Sequence, residues 1–321
     1  MKLSRREFLR MTAAGAGAAA GMQILSACGG SPSASNGVSR LPPSAPPAGS
    51  AYLAAARGGD DPEALVRRAV AAIGGMERFV AKGSKVLVKP NVCTAGRSYE
   101  YAATTNPRVV AAVVKLCREA GAGRVAVYDN PFGGTAEDAF ASSGIGPEAQ
   151  AAGGELEFPA AMKFVSVDLP DGQTLKQTEV YDGALNADVL INIPIPKHHS
   201  LAQLTIGMKN QLGVIRDRPE MHASLNRKLV DLNQYLVPTL TIVDAVRILT
   251  ANGPTGGNLD DVKKLDTVIA THDPVAADAY ATTLFGWEDP DRLLYVKYGA
   301  ERGIGRSDLK NLQIEELTVG G

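Results

Sequence analysis

Short apolar runs that alternate with helical patterns restrict this chain more than any other feature. The runs are Lys85–Lys89, Arg124–Tyr128, Val189–Ile193, Leu240–Val243 and Thr267–Ala270. Each is nearly continuous in β-branched or leucine-rich residues, the pattern of strands covered on both faces. Between them, Asp61-Pro62 opens a helix through Arg67 and Ile73. Asn106-Pro107 opens a second, whose stripe of Val109, Val110, Val113, Leu116 and Cys117 ends at Gly121. Leu225, Leu229, Leu232 and Leu236 mark a third, and Asp273-Pro274 starts the last. This alternation predicts an α/β fold, an open and largely parallel sheet with helices on both faces. Residues 155–180 read as a small inserted β-rich segment with a turn at Asp171-Gly172.

The residues just past each strand carry the functional signal. The runs lead into Lys89-Pro90-Asn91, Asp129-Asn130, Pro194-Ile195-Pro196-Lys197-His198-His199, Asp244 and His272-Asp273. Parallel strands share one carboxyl edge, where ligands bind, so Lys89, Asp129, Lys197, Asp244 and Asp273 are expected on one rim. A lysine wedged between an apolar strand and a proline is partly desolvated and wants a carboxylate or an anionic ligand. Capping alone accounts equally for Asp273 before Pro274, and turn formation for Asp129 and Asp244. Lys209-Asn210, inside Gly207–Gly213, adds a third lysine beside an amide, and its glycines permit close backbone approach to a ligand. The candidate catalytic residues are Lys89, Lys197, His198 and Asp129, and the candidate substrate-binding residues are Asn91, Lys209, Asn210, Asp244 and Asp273. Asp273 and Asp278 could hold a divalent metal, with Asp129 and Asp244 as further oxygen donors.

Five segments together resemble the domain-of-unknown-function family 362. They are Val-Lys-Pro-Asn at 88–91, the Pro-Ile-Pro-Lys-x-His run within 193–199, Met-Lys-Asn-Gln-Leu-Gly at 208–213, Val-Asp-Ala at 243–245 and Asp-Pro-Val-Ala-Ala-Asp at 273–278. The similarity covers about residues 84–290. Some members of that family carry ferredoxin-type iron–sulfur modules, but this chain lacks the cysteine repeats, so the resemblance implies no cluster here. Neither the Gly-Lys-Ser/Thr end of a phosphate loop nor a nucleophile elbow occurs.

The first 28 residues read as an address. Ser4-Arg5-Arg6-Glu7-Phe8-Leu9 resembles a twin-arginine export signal, and Leu25-Ser26-Ala27-Cys28 a lipobox whose Cys28 is acylated. Residues 29–50, rich in Pro, Ser, Gly and Ala, read as a tether, and 51–321 as one α/β domain. Loss of residues 1–27 would remove four basic residues and one acidic one, leaving 29 basic and 33 acidic residues. A mildly acidic domain without a basic block is not expected to bind nucleic acid. Cys93 ends a strand, whereas Cys117 lies roughly 15 Å along the next helix, too far for a disulfide.

These readings predict an exported, membrane-anchored lipoprotein facing the periplasm or cell exterior. The twin-arginine translocase and lipoprotein-processing enzymes would be its partners during export, and acyl chains its membrane anchor. Its domain is expected to be an enzyme acting on a small anionic ligand, carboxylate or phosphate. The alternatives are a tethered binding protein using the same rim, or a redox or cofactor-related protein, since the twin-arginine route often exports domains folded around cofactors.

Overall fold

The apolar runs assemble, with several strands the pattern did not signal, into one ten-stranded mixed sheet, as a computed structural model shows. The structure describes Val38, Ser44, Ala45 and residues 47–320. The twin-arginine segment, Cys28 and most of the tether lie outside the described residues. Within residues 29–50, read from the sequence as a tether, two described residues are hydrogen-bonded to the domain: the Val38 N–H donates to the Tyr235 carbonyl at 2.9 Å and the Ser44 N–H to that of Arg78 at 2.9 Å. Among the described residues no helix is long and apolar enough to cross a membrane.

The strands are β1 (Leu53–Arg57), β2 (Lys85–Pro90), β3 (Arg124–Tyr128), β4 (Glu155–Glu157), β5 (Phe164–Asp168), β6 (Gln177–Tyr181), β7 (Val189–Ile193), β8 (Lys197–His199), β9 (Gln203–Thr205), β10 (Leu240–Leu249), β11 (Val262–Thr271) and β12 (Ile314–Thr318). The order across the main sheet is β12-β1-β11-β10-β7-β2-β3-β4, and the short β8–β9 hairpin joins it at the far end of β10. The run β10-β7-β2-β3-β4 is parallel throughout. The expected inserted β segment splits: β4 extends the main sheet, while β5 and β6 form a separate hairpin.

Two apolar cores arise from the two-residue period of a strand. Val86, Val88, Val125, Val127, Val189 and Ile191 face one side, and Leu87, Ala126, Tyr128 and Leu190 face the other. The first face is covered by α1 (Pro62–Ala72), α2 (Pro107–Glu119), α3 (Ala136–Ser142) and α4 (Ile145–Ala151). The second carries α5 (Asp182–Asn186), α6 (Gly207–Asn210), α7 (Leu225–Tyr235), α8 (Pro274–Thr283) and α9 (Leu294–Glu301). Asp61, Asn106 and Asp273 cap α1, α2 and α8, each accepting a backbone N–H in front of an N1 proline. Each such cap is worth about 1 kcal/mol.

One expectation fails. The run at 267–270 belongs to β11, which lies antiparallel to β10 with Thr271 opposite Thr241. It therefore runs toward the edge where the parallel strands begin, and carries Asp273 away from the shared rim. From β2 the chain steps outward through β3 to β4, then returns to β7 on the other side of β2. The gap between the carboxyl ends of β2 and β7 is thus a topological switch point, where an open α/β sheet leaves a crevice for ligands.

Candidate functional site

Five side chains from four segments close into one hydrogen-bonded chain at that switch point. The Asp129 carboxylate, at the end of β3, accepts from Lys89 Nζ at 2.7 Å, and Lys89 Nζ also donates to Asn210 Oδ1 at 3.1 Å. Asn210 Oδ1 accepts Asn91 Nδ2 at 2.8 Å, and Asn91 Oδ1 accepts Lys197 Nζ at 2.8 Å. Each member was singled out by its position at a strand end or in the segment 208–213. The extended Pro194-Ile195-Pro196 stretch carries the chain from β7 to β8, and Lys197 sits opposite Thr205 of β9.

The three lysines differ in how their protons are used. Lys89 is fully buried and makes three hydrogen bonds, the third to the Pro90 carbonyl at 2.8 Å. Burial pushes its pKa down against the pull of Asp129. Asp129 is equally occupied, since Oδ1 also accepts the Asn130 N–H and Oδ2 the Val92 N–H. Lys89 and Asp129, expected to be catalytic, therefore read as the framework of the site: Lys89 has no proton to spare without breaking a hydrogen bond, and Asp129 already accepts three. Gly213 shows how tightly they are enclosed, because a Cβ there would lie 1.9 Å from Asp129 Oδ1 and 2.6 Å from Lys89 Nζ. The close approach expected of this glycine is thus to the ion pair.

Lys197 donates to Asn91 and to the Ala103 carbonyl at 2.7 Å, which leaves one N–H. Lys209 is only 9% exposed and has neither a hydrogen-bond nor an ion-pair partner among the described residues. Burial, reinforced by the neighbouring Lys197 charge, pushes its pKa down to about 8. Both lysines line a cavity of about 430 Å³ with Asn91, Thr205, Asn210 and Arg218. The Thr205 hydroxyl is buried without a hydrogen-bond partner. Arg218 donates to the Asn130 and Pro131 carbonyls, which holds its guanidinium at the exit of β3. Four of the lining side chains are lysine or arginine and one, Asp129, is a carboxylate. Such a cavity favours an anion and disfavours a metal cation. A second cavity of about 350 Å³, lined by Lys85 and Arg124, sits where the strands begin. There Arg124 is paired with Glu155 and Glu157, so its charge is already balanced.

The remaining expectations are corrected by local geometry. His198 lies outside this cavity; the two-residue period of β8 puts His199 on the Lys197 side. His199 Nδ1 accepts the Leu201 and Ala202 N–H groups, which fixes its proton on Nε2. Burial, with Lys209 and Lys197 nearby, pushes its pKa down to about 4, so the ring is neutral. Asp244 is buried inside β10 and accepts the Asn106 and Val246 N–H groups, fixing the start of α2. Asp273 caps α8 and also accepts from Tyr52 and the Arg306 N–H, outside the cavity. Asp278 accepts the Gly207 and Met208 N–H groups and so seats α6 beneath the cavity. Burial raises Asp244 to about 6 and Asp278 to about 7. The four aspartates considered as metal ligands are thus dispersed, and among the described residues no three His, Cys, Asp or Glu side chains are grouped to hold a metal ion.

Arg218, Thr205, His199 and His222 were not among the expected site residues. The strand period could have selected His199 over His198, whereas Arg218 and His222 lie in a stretch without periodic signal. His222 is exposed at the cavity mouth, and its Nδ1 lies 3.2 Å from the Pro219 carbonyl. A carbonyl only accepts, so this bond requires a proton on Nδ1, and in the neutral ring Nε2 is then the acceptor. Cys93 and Cys117 are buried and free.

The sequence profile described as "Domain of unknown function (DUF362)" matches residues 86–283. A thylakoid-associated protein of Synechocystis is 31% identical over 230 residues, 69% of each chain. The lactate racemase apoprotein from Thermoanaerobacterium thermosaccharolyticum aligns with 69% of this chain and 54% of its own at a TM-score of 0.43 and 13% identity. A Thermotoga maritima protein aligns with 72% of this chain and 60% of its own, also at 0.43 and 13%. The aligned region thus spans little more than half the length of those two structures.

Proposed function

This chain belongs to the DUF362 family, and we propose that it is an enzyme acting on a small carboxylate or phosphate held at the carboxyl edge of β2, β3 and β7. One observation carries the proposal: Lys209, a largely buried side chain, and the buried Thr205 hydroxyl have no partners among the described residues, and both line a cavity with excess positive charge. An unpaired, largely desolvated cation is destabilising, and a bound anion offsets that cost. Lys197 and Arg218 supply further charge, and the neutral His199 supplies an Nε2–H. A protein that only binds gains most from fully charged ammonium groups. Lys209, with its pKa pushed to about 8, keeps its proton weakly, which suits proton transfer or nucleophilic attack.

The test is thermal unfolding of the purified full chain with a panel of small carboxylates and phosphates, followed by product analysis for those that stabilise it. At least one anion is expected to raise the midpoint, an effect lost in Lys197→Ala, and to be consumed. A panel in which no anion stabilises the protein overturns the proposal, while stabilisation without turnover selects the binding-protein reading. We further propose export through the twin-arginine route and acylation at Cys28. This draws on the leader residues and on the thylakoid association in the relative's name. Cys28→Ser should then move the protein from the membrane fraction to the soluble fraction, and an unchanged distribution counts against the anchor.

A further inference from the structure

We propose that Lys209 is an imine-forming lysine and that the substrate is a small keto or aldehyde acid, bound through its anionic group by Lys197 and Arg218. The inference rests on the anion-site reading and adds a covalent step to it. An amine attacks a carbonyl only through a free lone pair. Lys89 would have to give up its bond to Asp129, Asn210 or the Pro90 carbonyl to expose one. Lys197 is tied by two bonds, to Asn91 and Ala103. Lys209 has no bond to break, is nine-tenths buried and lines the cavity. The fixed charges of Lys197 and Arg218 act twice, drawing in the anionic group and repelling the Lys209 proton. That repulsion and burial leave roughly a tenth of Lys209 as free amine at neutral pH, from a pKa of about 8.

The step balances without a co-reactant. Lys209 gives up a proton to Nε2 of His222, which lines the same cavity, and its nitrogen forms a bond to the carbonyl carbon as the C=O π bond opens. The proton that the attacking nitrogen sheds moves to the oxygen, placed near the Thr205 hydroxyl and the His199 Nε2–H, to give a neutral carbinolamine. Return of the proton from His222 to that hydroxyl releases water as the C–O bond breaks, leaving a protonated imine. The net change is ammonium plus carbonyl to iminium plus water. The positive iminium then acts as an electron sink for breaking a bond at the adjacent carbon.

Pyruvate with sodium borohydride tests this on the full chain, with acetone as an uncharged comparison. Pyruvate is expected to add one carboxyethyl group, mapped by peptide mass spectrometry to Lys209 before any exposed lysine such as Lys82 or Lys310 reacts. Acetone should not share that preference, and Lys209→Arg should lose the adduct while keeping a cation in the cavity. If the arginine variant fails to fold, mapping on the unaltered protein still decides. Adducts spread over surface lysines while pyruvate still raises the unfolding midpoint would overturn the imine and leave the anion site standing. Spread adducts with no stabilisation by any anion would remove both.

Discussion

Replacing Lys89 by methionine should destabilise the domain by about 3–5 kcal/mol, the usual consequence of leaving one member of a buried ion pair alone. The side chain is fully buried, and Asp129 would lose its only ion-pair partner among the described residues. The loss propagates because Lys89 also holds Asn210, which in turn holds Asn91 and so Lys197. Denaturant unfolding measures the effect. Adding Asp129→Leu should restore part of the stability, since a neutral apolar pair carries no stranded charge. Full recovery is not expected, because the Val92 and Asn130 N–H groups then lose their acceptor. Wild-type stability in Lys89→Met would show that the pair is no framework at all.

Lys209→Met should act in the opposite direction. The folded-state pKa of about 8 lies below the value of 10.5 that Lys209 has when exposed. The native state therefore binds fewer protons than the unfolded chain between those values, so the native state gains stability as pH rises from about 8 to 10.5. Below about pH 8 the full penalty of a charged, unpaired ammonium is present, about 3 kcal/mol for a shift of this size. Methionine fills similar volume without charge. The variant is expected to unfold at a higher midpoint than the parent at neutral pH and to lose all stabilisation by anions. This exchange of stability for ligand response is what a binding cation held in readiness predicts. A variant that is less stable than the parent, yet responds to anions as before, would mean that Lys209 is a structural residue.

Much of this arrangement was legible because it depends on local rules. β2, β3 and β7 are buried on both faces and so read as unbroken apolar runs, and Asn106-Pro107 and Asp273-Pro274 announce their helices by capping chemistry. The chain Asp129–Lys89–Asn210–Asn91–Lys197 came from polar residues placed at those strand ends or in the 208–213 segment. What was missed depends on distant pairing. The apolar run at 267–270 is the same for either direction, and its partner β10 decides that it is antiparallel. The signal was available in part: residues 250–261 carry no helical stripe, as a parallel crossover would usually need. Ala54-Ala55-Ala56 in β1 reads as helix-forming sequence and becomes a strand between β11 and β12. The framework role of Lys89 was also hidden, because a sequence shows a desolvated lysine without showing how many acceptors surround it.

Lys209, largely buried and without a partner among the described residues, is the cation on which the proposed anion site depends. Its titration can be followed directly by NMR of the full chain with lysine labelled at the ε position, assigned through Lys209→Arg. The expected midpoint is near 8 in the free protein, rising when an anion such as pyruvate or phosphate binds and pairs with the charged form. A midpoint at the ordinary lysine value, unmoved by every anion tried, would contradict that role.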